Sequence, residues 1–339
     1  MNDADIAARP IDPDRIMMLV GGFQASQALY VAAKLDVATL VCGGPRTVEE
    51  LAVETGADAD SLWRIIRFLA MFGLFRTSGD RIETTELGAL LSGDHPHSIR
   101  QLALYTVESQ YAAFGELLHS AMTGEPAAAH VHGKAYFDWI SADPEMAELQ
   151  NRAFAENDAV MRPGLLDGYA LPAGATVVDV GGADGSTLAR LLADAPERRG
   201  VVFDRPEVVA AARARWADRA LADRVEFVGG DFFRSVPPGD VYLLSFIMHN
   251  WDDVSCLRIL RSIRDAAEPG ARLVLIETVM PPGDHPHLAK AIDLTMLALT
   301  GGRERSAEEF RALLAAAGFI LARVVPSTTP YSFVEATLG

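Results

Sequence analysis

The 339-residue sequence is poor in cysteine, in lysine and in positive charge overall. Cys42 and Cys256 are its only cysteines and stand far apart, so neither a disulfide framework nor a cysteine-bound zinc cluster is open to it. Lysine occurs only at Lys34, Lys134 and Lys290; arginine supplies the rest of the 30 basic residues. Against 46 acidic residues the formal charge is −16, with a pI near 4.9. Such a surface repels nucleic-acid backbones and anionic lipid heads, which argues against nucleic-acid or membrane partners. No long apolar run is present: Met17–Leu35, the most apolar early stretch, is interrupted by Gln24, Ser26, Gln27 and Lys34. Met1–Asp14 is acidic and polar, unlike a secretion signal, so cytoplasmic residence is the expectation. What is present is 50% hydrophobic and 8% aromatic residues, enough for a large folded core and about two domains.

The pattern changes near residue 170. Ile16–Leu40 has apolar residues at helical spacing, with Gly21–Gly22 as a weak point. Thr47–Thr55 reads as a helix with Thr47 and Glu50 as a capping box. Asp58 or Asp60 caps a second helix, Ser61–Phe72, ended by Gly73. A hairpin over Leu74–Thr84, turning at Ser78–Asp80, follows. Two helices and a hairpin resemble a winged helix, which either reads DNA or serves as a dimerisation scaffold. The second helix sets only Arg64 and Arg67 against Asp58 and Asp60, which disfavours DNA. Residues 97–168 continue as helices, broken at Gly124–Pro126. Their aromatics (Tyr105, Tyr111, Phe114, Tyr136, Phe137, Trp139 and Phe154) are core or line an aromatic-substrate pocket.

From Ala175 strands and helices alternate. Strands are expected at Thr176–Val180, Gly200–Phe203, Val225–Val228, Val241–Ile247 and Leu273–Ile276. Helices are expected at Ser186–Ala193, Pro206–Trp216, Asp252–Ala267, Leu288–Leu299 and Ala307–Ala317. Phe319–Val325 and Ser332–Thr337 close the chain as an antiparallel hairpin. The fold class is α/β: a C-terminal Rossmann-like doubly wound sheet with a final antiparallel hairpin, residues 169–339. It follows an N-terminal, mostly helical, winged-helix-like dimerisation and substrate-lining domain, residues 1–168.

Asp179-Val180-Gly181-Gly182-Ala183-Asp184-Gly185 is a strand end, a glycine turn and a helix start. Glycines strip Cβ from the turn so that a ligand can approach backbone N–H groups. The spacing is Gly-Gly-x-x-Gly, not the Gly-x-Gly-x-x-Gly of a dinucleotide-binding dehydrogenase. Asp204 ends the next strand, 19 residues after Gly185, where a carboxylate suits a ribose. Asp231 and Phe232 follow the third strand and suit an adenine amino group and ring face. The turn has no cation for a pyrophosphate but has Asp179 and Asp184. That combination suits S-adenosylmethionine better than NAD. The plainer alternative is that Asp179 and Asp184 only shape the turn.

Strand Val241–Ile247 leads into His249-Asn250-Trp251-Asp252-Asp253. A histidine at that sheet edge is suited to act as a general base. Glu277 and Glu304 are candidates to orient it; alternatively Glu277 is solvated and Glu304 pairs with Arg303 or Arg305. The pairs His95/His97, His130/His132 and His285/His287 invite a metal reading, but no acid or cysteine pattern accompanies them, so no metal is expected.

These motifs resemble the class I S-adenosylmethionine-dependent O-methyltransferases of the caffeate/isoflavone type, in particular bacterial members that tailor aromatic antibiotics. The carrying segments are Asp179–Gly185, Phe203–Pro206, Gly230–Phe233, His249–Asp253, Glu277–Pro281 and Gly301–Ser306; the N-terminal half matches more loosely. The resemblance implies that Gly181, Asp204, Asp231 and Phe232 hold the methyl donor, with Ser245 near it. It implies that His249 is the catalytic base, steered by Glu277 and Glu304, and that Asp293–Leu299, with Met296, lines the substrate. It further implies a homodimer in which the N-terminal domain contributes to its partner's pocket, a small aromatic substrate, no metal, and S-adenosylhomocysteine as product. Asn250 departs from the aspartate of plant members, and Gln150 from a phenylalanine common before Asn151-Arg152. Some relatives have become hydroxylases or decarboxylases; such members can lack the histidine, so His249 favours transfer. A hydroxylase or decarboxylase, an NAD-dependent dehydrogenase and a DNA-binding regulator remain as alternatives.

Overall fold

The structure, a computed structural model, describes residues 12–216 and 221–339. Most of the acidic stretch at the start therefore lies outside the described residues. Two compact units are formed: one from the segment ending at Glu116 together with His130–Pro163, the other from Leu117–Ala129 and Gly164–Gly339.

In the first unit, helices Pro13–Val20 and Gly22–Lys34 bend by 53° at Gly21. Among the described residues no single helix is long and apolar enough to cross a membrane; this bent pair passes the test together, by length and composition alone. Ile16, Met17, Leu19, Val20 and Phe23 on it are exposed. The capping box at Thr47 and Glu50 opens helix Val48–Thr55. Asp58, not Asp60, caps the next helix, Ala59–Ala70, by accepting from the Ser61 N–H at 2.9 Å. Strands β1 (Arg46–Thr47), β2 (Phe75–Ser78) and β3 (Arg81–Thr84) form a small sheet in the order β1-β3-β2. Leu51, Leu62, Ile66, Leu69, Phe75 and Ile82 pack together beneath it. Helices Arg100–Gly115 and Pro144–Met161 carry the rest of the unit. There the hydroxyls of buried Tyr105 and Tyr136 meet at 2.7 Å, and Gln150 donates to Tyr105 at 2.8 Å.

The second unit holds a seven-stranded sheet. Its strands are β4 (Thr176–Val180), β5 (Arg199–Asp204), β6 (Val225–Gly229), β7 (Val241–Ser245), β8 (Arg272–Thr278), β9 (Phe319–Pro326) and β10 (Tyr331–Leu338). The order is β6-β5-β4-β7-β8-β10-β9. The strands β4 to β8 pair in parallel, and β10 runs antiparallel to both β8 and β9. Helices on both faces explain the unbroken apolar runs: Val177, Val178, Leu243, Leu244, Leu273 and Leu275 are fully buried. Each such side chain contributes about 1.5–3 kcal/mol by leaving water. Helix Asp253–Ala266, capped by Asp252, turns Cys256, Ile259, Leu260 and Ile263 into that core.

The chain leaves the sheet centre in opposite directions from β4, toward β5 and later toward β7, which opens a crevice at the carboxyl ends of these strands. Here one boundary departs from expectation. Strand β7 stops at Ser245, two residues early, because Phe246 adopts φ 57°. Ala183, in the glycine turn after β4, has φ 48°. Both are non-glycine residues in the left-handed region, and both lie at this edge, where strain collects in functional sites.

Candidate active site

The glycine turn is shaped by the chain's own packing. Gly181 (φ 76°) donates its N–H to the Phe203 carbonyl at 2.7 Å, and a Cβ there would collide with Ile247. A Cβ on Gly185 (φ 75°) would stand 2.9 Å from Val202 and 3.0 Å from Trp216. The Ala183 N–H donates to Asp204 at 2.9 Å, the Gly185 N–H to the Gly182 carbonyl at 2.8 Å, and the Ser186 N–H to Asp184 at 3.0 Å. These N–H groups are thus spent within the chain, contrary to the expectation that the turn offers them to a ligand. An anion cradle of the pyrophosphate kind is missing at these positions, which agrees with a donor that carries no phosphate.

Asp204 sits half-buried at the end of β5, beside the turn it braces. Its other oxygen accepts from the Arg205 N–H at 2.7 Å. Each carboxylate oxygen keeps a second lone pair for a ligand hydroxyl. Asp231 accepts from the Phe233 N–H at 2.9 Å, so it also shapes its own turn. Phe232 lies against the turn: a Cβ on Gly181 would be 3.9 Å from its ring. Ser245, at the carboxyl end of β7, has a buried hydroxyl with no hydrogen-bond partner. A buried unpaired hydroxyl costs about 1–3 kcal/mol, and a ligand's polar group at the sheet edge would recover it. The crevice residues therefore fit a nucleoside with a cationic tail.

His249 lies on a one-turn 3-10 helix, Met248–Asn250, directly after the strained Phe246. Asn250 closes that turn by donating to the Phe246 carbonyl at 2.9 Å. His249 Nδ1 is 2.8 Å from Glu304 Oε1 and 3.8 Å from Glu277 Oε2. The imidazole keeps 15% of its side-chain surface, whereas Glu277 and Glu304 keep 0% and 1%. Glu277 is held inside β8, and its Oε1 accepts from the Met248 N–H at 2.8 Å. Glu304 accepts from the Thr278 hydroxyl, and its own N–H donates to Asp293 at 2.9 Å.

Burial works against a proton on His249, but Glu277 and Glu304 outweigh it and raise the imidazole pKa above the ordinary 6.5. Glu277 is also pushed up, first by burial and further by the charge of Glu304, although His249 opposes this. The solvated alternative for Glu277 is thus overturned. So is an ion pair from Glu304 to its neighbours: Arg303 pairs with Glu309, and Arg305 with Asp253. Among the described residues His249, Glu277 and Glu304 are the one His/Cys/Asp/Glu group whose donor atoms converge, all within 4.8 Å of one another. The His-x-His pairs do not converge: His95 accepts from the His97 N–H, and His287 caps helix Leu288–Leu299. Thr278, Asp293 and Asp253 lie in segments marked from the sequence, but their bonds to Glu304 and Arg305 were not read there. No local signal marks these bonds, since each joins residues 11 or more positions apart.

Residues 114–320 match the O-methyltransferase domain family, and residues 17–94 the O-methyltransferase dimerisation domain. The phenazine O-methyltransferase of Lysobacter antibioticus is 41% identical over 323 residues, 95% of either chain. A crystal structure of an O-methyltransferase from neocarzinostatin biosynthesis, in complex with S-adenosylmethionine and 2-hydroxy-5-methyl naphthoic acid, is 34% identical. It superposes with a TM-score of 0.83 over 93% of this chain and 96% of that one. The aclacinomycin 10-hydroxylase of Streptomyces purpurascens is 34% identical over 337 residues, 96% of this chain and 90% of its own. With more than half its length matched, and with the relatives covered nearly end to end, this chain belongs to the family of S-adenosylmethionine-dependent O-methyltransferases.

Proposed function

We propose that the chain methylates a phenolic hydroxyl of an aromatic natural product, with His249 as general base. The observation that carries this is the 2.8 Å contact between His249 Nδ1 and buried Glu304. With Nδ1–H donated to Glu304, the lone pair sits on Nε2, and the imidazole is neutral and ready to take a proton. Glu277, at 3.8 Å, adds a second negative charge that favours the imidazolium formed by that uptake. S-adenosylmethionine supplies an electrophilic methyl group on a sulfonium. Gly181, Asp204, Asp231, Phe232 and Ser245 are the residues that would hold it: Asp204 on the ribose, Asp231 and Phe232 on the adenine, Ser245 near the tail. A phenol has a pKa near ~10, so the base assists the acceptor, while alignment of the reactants contributes more.

Within this reading residues 1–168 pair two copies of the chain, and residues 169–339 bind the donor. The dimerisation-domain match and the exposed apolar residues from Ile16 to Phe23 support a homodimer. The acidic charge supports a small-molecule substrate rather than nucleic acid or a membrane, and two free cysteines support a reducing, cytoplasmic setting. A SAM-bound hydroxylase or decarboxylase is the second reading, favoured by the aclacinomycin 10-hydroxylase relative. The two are separated by incubating the protein and S-adenosylmethionine with hydroxylated phenazines and naphthoates and weighing the products. Gain of a methyl group supports transfer; gain of an oxygen or loss of a carboxyl group refutes it.

A further inference from the structure

The turn that bears His249 is held from outside as well as by its own bonds. Its internal backbone bonds, Asn250 to Ile247 and Trp251 to Met248, are both long at 3.2 Å. Besides Glu277 on the Met248 N–H and Asn250 on the Phe246 carbonyl, the bonds that fix it come from the segment carrying Glu304. Arg305 is 1% exposed. Its Nη1 donates to the Met248 carbonyl at 3.0 Å and its Nη2 to the Trp251 carbonyl at 2.9 Å. Nε and Nη2 both reach Asp253 Oδ1, at 3.0 and 2.7 Å. Next to it the Arg303 N–H donates to the His249 carbonyl at 2.9 Å. A Cβ on Gly302 would run into that same carbonyl oxygen, so the two segments touch backbone to backbone. The residues on either side of the imidazole are therefore gripped by a segment whose own Glu304 holds the ring.

We infer that Arg305 is a positioning residue for methyl transfer: its guanidinium fork locks the His249 turn against the Glu304 segment and so keeps Nδ1 in bonding range of Glu304. The inference rests on the proposed role of His249 and adds the part that sets its geometry. Only arginine fits this task. Three acceptors on three residues are met by one planar fork with donors in fixed directions. Lysine carries the same charge as a point and cannot bridge Met248, Trp251 and Asp253 together. The guanidinium charge also opposes a proton on His249, against the two glutamates.

The test uses the full chain and needs no acceptor. A histidine Nδ1–H bonded to a buried carboxylate gives a downfield, exchange-protected proton resonance, identified by its loss in His249→Gln. Calorimetry with S-adenosylhomocysteine reports on the donor crevice. Arg305→Lys is expected to speed exchange of that proton by at least roughly tenfold, while affinity for S-adenosylhomocysteine stays within about twofold. Asp253→Asn, whose carboxylate is largely exposed, leaves the buried guanidinium in place and should act in the same direction more weakly. Exchange within about twofold of the parent in Arg305→Lys overturns the inference, as does a loss of donor-product affinity in step with it. If Arg305→Lys does not fold, parental behaviour of Asp253→Asn overturns it instead. Absence of the resonance in the parent refutes the His249–Glu304 pair itself, and with it the proposed base.

Discussion

Replacing Glu304 by Gln changes one charge and almost no volume, and its consequences carry a sign. With His249 as the proposed base, the acid limb of kcat/KM in the parent is expected to follow its protonation. The imidazole is raised above 6.5, so activity is present above that raised value and is lost as pH falls through it. Gln keeps an oxygen that can accept Nδ1–H, so the tautomer survives. What goes is the carboxylate beside the ring, and with it both the charge-assisted part of the bond and the Coulombic pull on the imidazolium. A hydrogen bond to a charged group contributes about 1.5–3 kcal/mol, against about 0.5–1.5 for a neutral one. At 2.8 Å and almost no exposure of Glu304, the difference falls at the upper end, about 1.5–2 kcal/mol. At about 1.4 kcal/mol per decade that is a loss of roughly ten- to thirtyfold in kcat at the high-pH plateau. The acid limb moves to lower pH, because the raising influence has been removed. The deficit is therefore largest at high pH and smallest at low pH. The assay is a pH series of kcat/KM with the acceptor identified by product mass, with S-adenosylhomocysteine affinity as control. An acid limb that stays put or moves up, or a rate loss matched by lost affinity, would refute the pair as the source of basicity.

Glu277→Gln should lower turnover and yet raise the melting temperature at pH 8. The native carboxyl has a pKa above its unfolded value, so it costs stability as pH rises above the unfolded value near 4.5, and the gain should shrink as pH falls and vanish below that value; a pH-independent melting difference would contradict this. Ser245→Ala removes a buried hydroxyl that has no protein partner, so stability should hold or rise while S-adenosylmethionine affinity falls by up to about tenfold; unchanged affinity by calorimetry would remove Ser245 from the donor site. Asp204→Asn should weaken S-adenosylmethionine binding more than it lowers the melting temperature, since one amide oxygen can still accept from Ala183; equal affinity would break the assignment of the ribose to Asp204.

What was legible in the sequence was whatever a local rule controls. Helices Ser186–Ala193 and Leu288–Leu299 lie where periodicity set them, and the caps Thr47 and Asp58 act on N–H groups a turn away. The parallel sheet followed from apolar strands alternating with amphipathic helices, and the closing hairpin from a linker too short for a crossover. Strand β7 ends at Ser245 rather than Ile247, a boundary that was not legible because a left-handed phenylalanine has no local signature; Phe246 still donates to the Ile276 carbonyl at 3.0 Å as a strand residue would. The site residues were nameable from spacing and resemblance, but their couplings were not. Whether Glu304 faces His249 or Arg305 is decided by bonds that cross 52 and 55 positions of sequence. A glutamate between two arginines reads as a surface ion pair until the fold turns each arginine toward a different acid.

Those couplings also explain how so many ionisable groups tolerate burial together. Glu277, Glu304 and Arg305 are each 3% exposed or less, and His249 is nearly enclosed. At a pH high enough for both carboxylates to be ionised and the imidazole neutral, with the guanidinium charged, the enclosed cluster carries one unit of negative charge in excess. Asp253 adds another only at the solvent side, where water screens it. Proton uptake by His249 brings the enclosed cluster to neutrality, the state in which a low-dielectric interior is least penalised. In that high-pH state the cluster is one positive charge short, and in the proposed mechanism the deprotonation of an acceptor supplies it. On this argument the two glutamates do not share one task. Glu304 sets direction through a bond at 2.8 Å and also raises proton affinity, whereas Glu277 acts on proton affinity alone, through charge at 3.8 Å. The double variant Glu277→Gln with Glu304→Gln should then leave an imidazole whose pKa has fallen below 6.5, because burial and Arg305, both of which disfavour its proton, are no longer opposed. Titration of the His249 ring resonance measures this directly, and a value that stays above 6.5 in the double variant would refute the two glutamates as the source of the raised proton affinity.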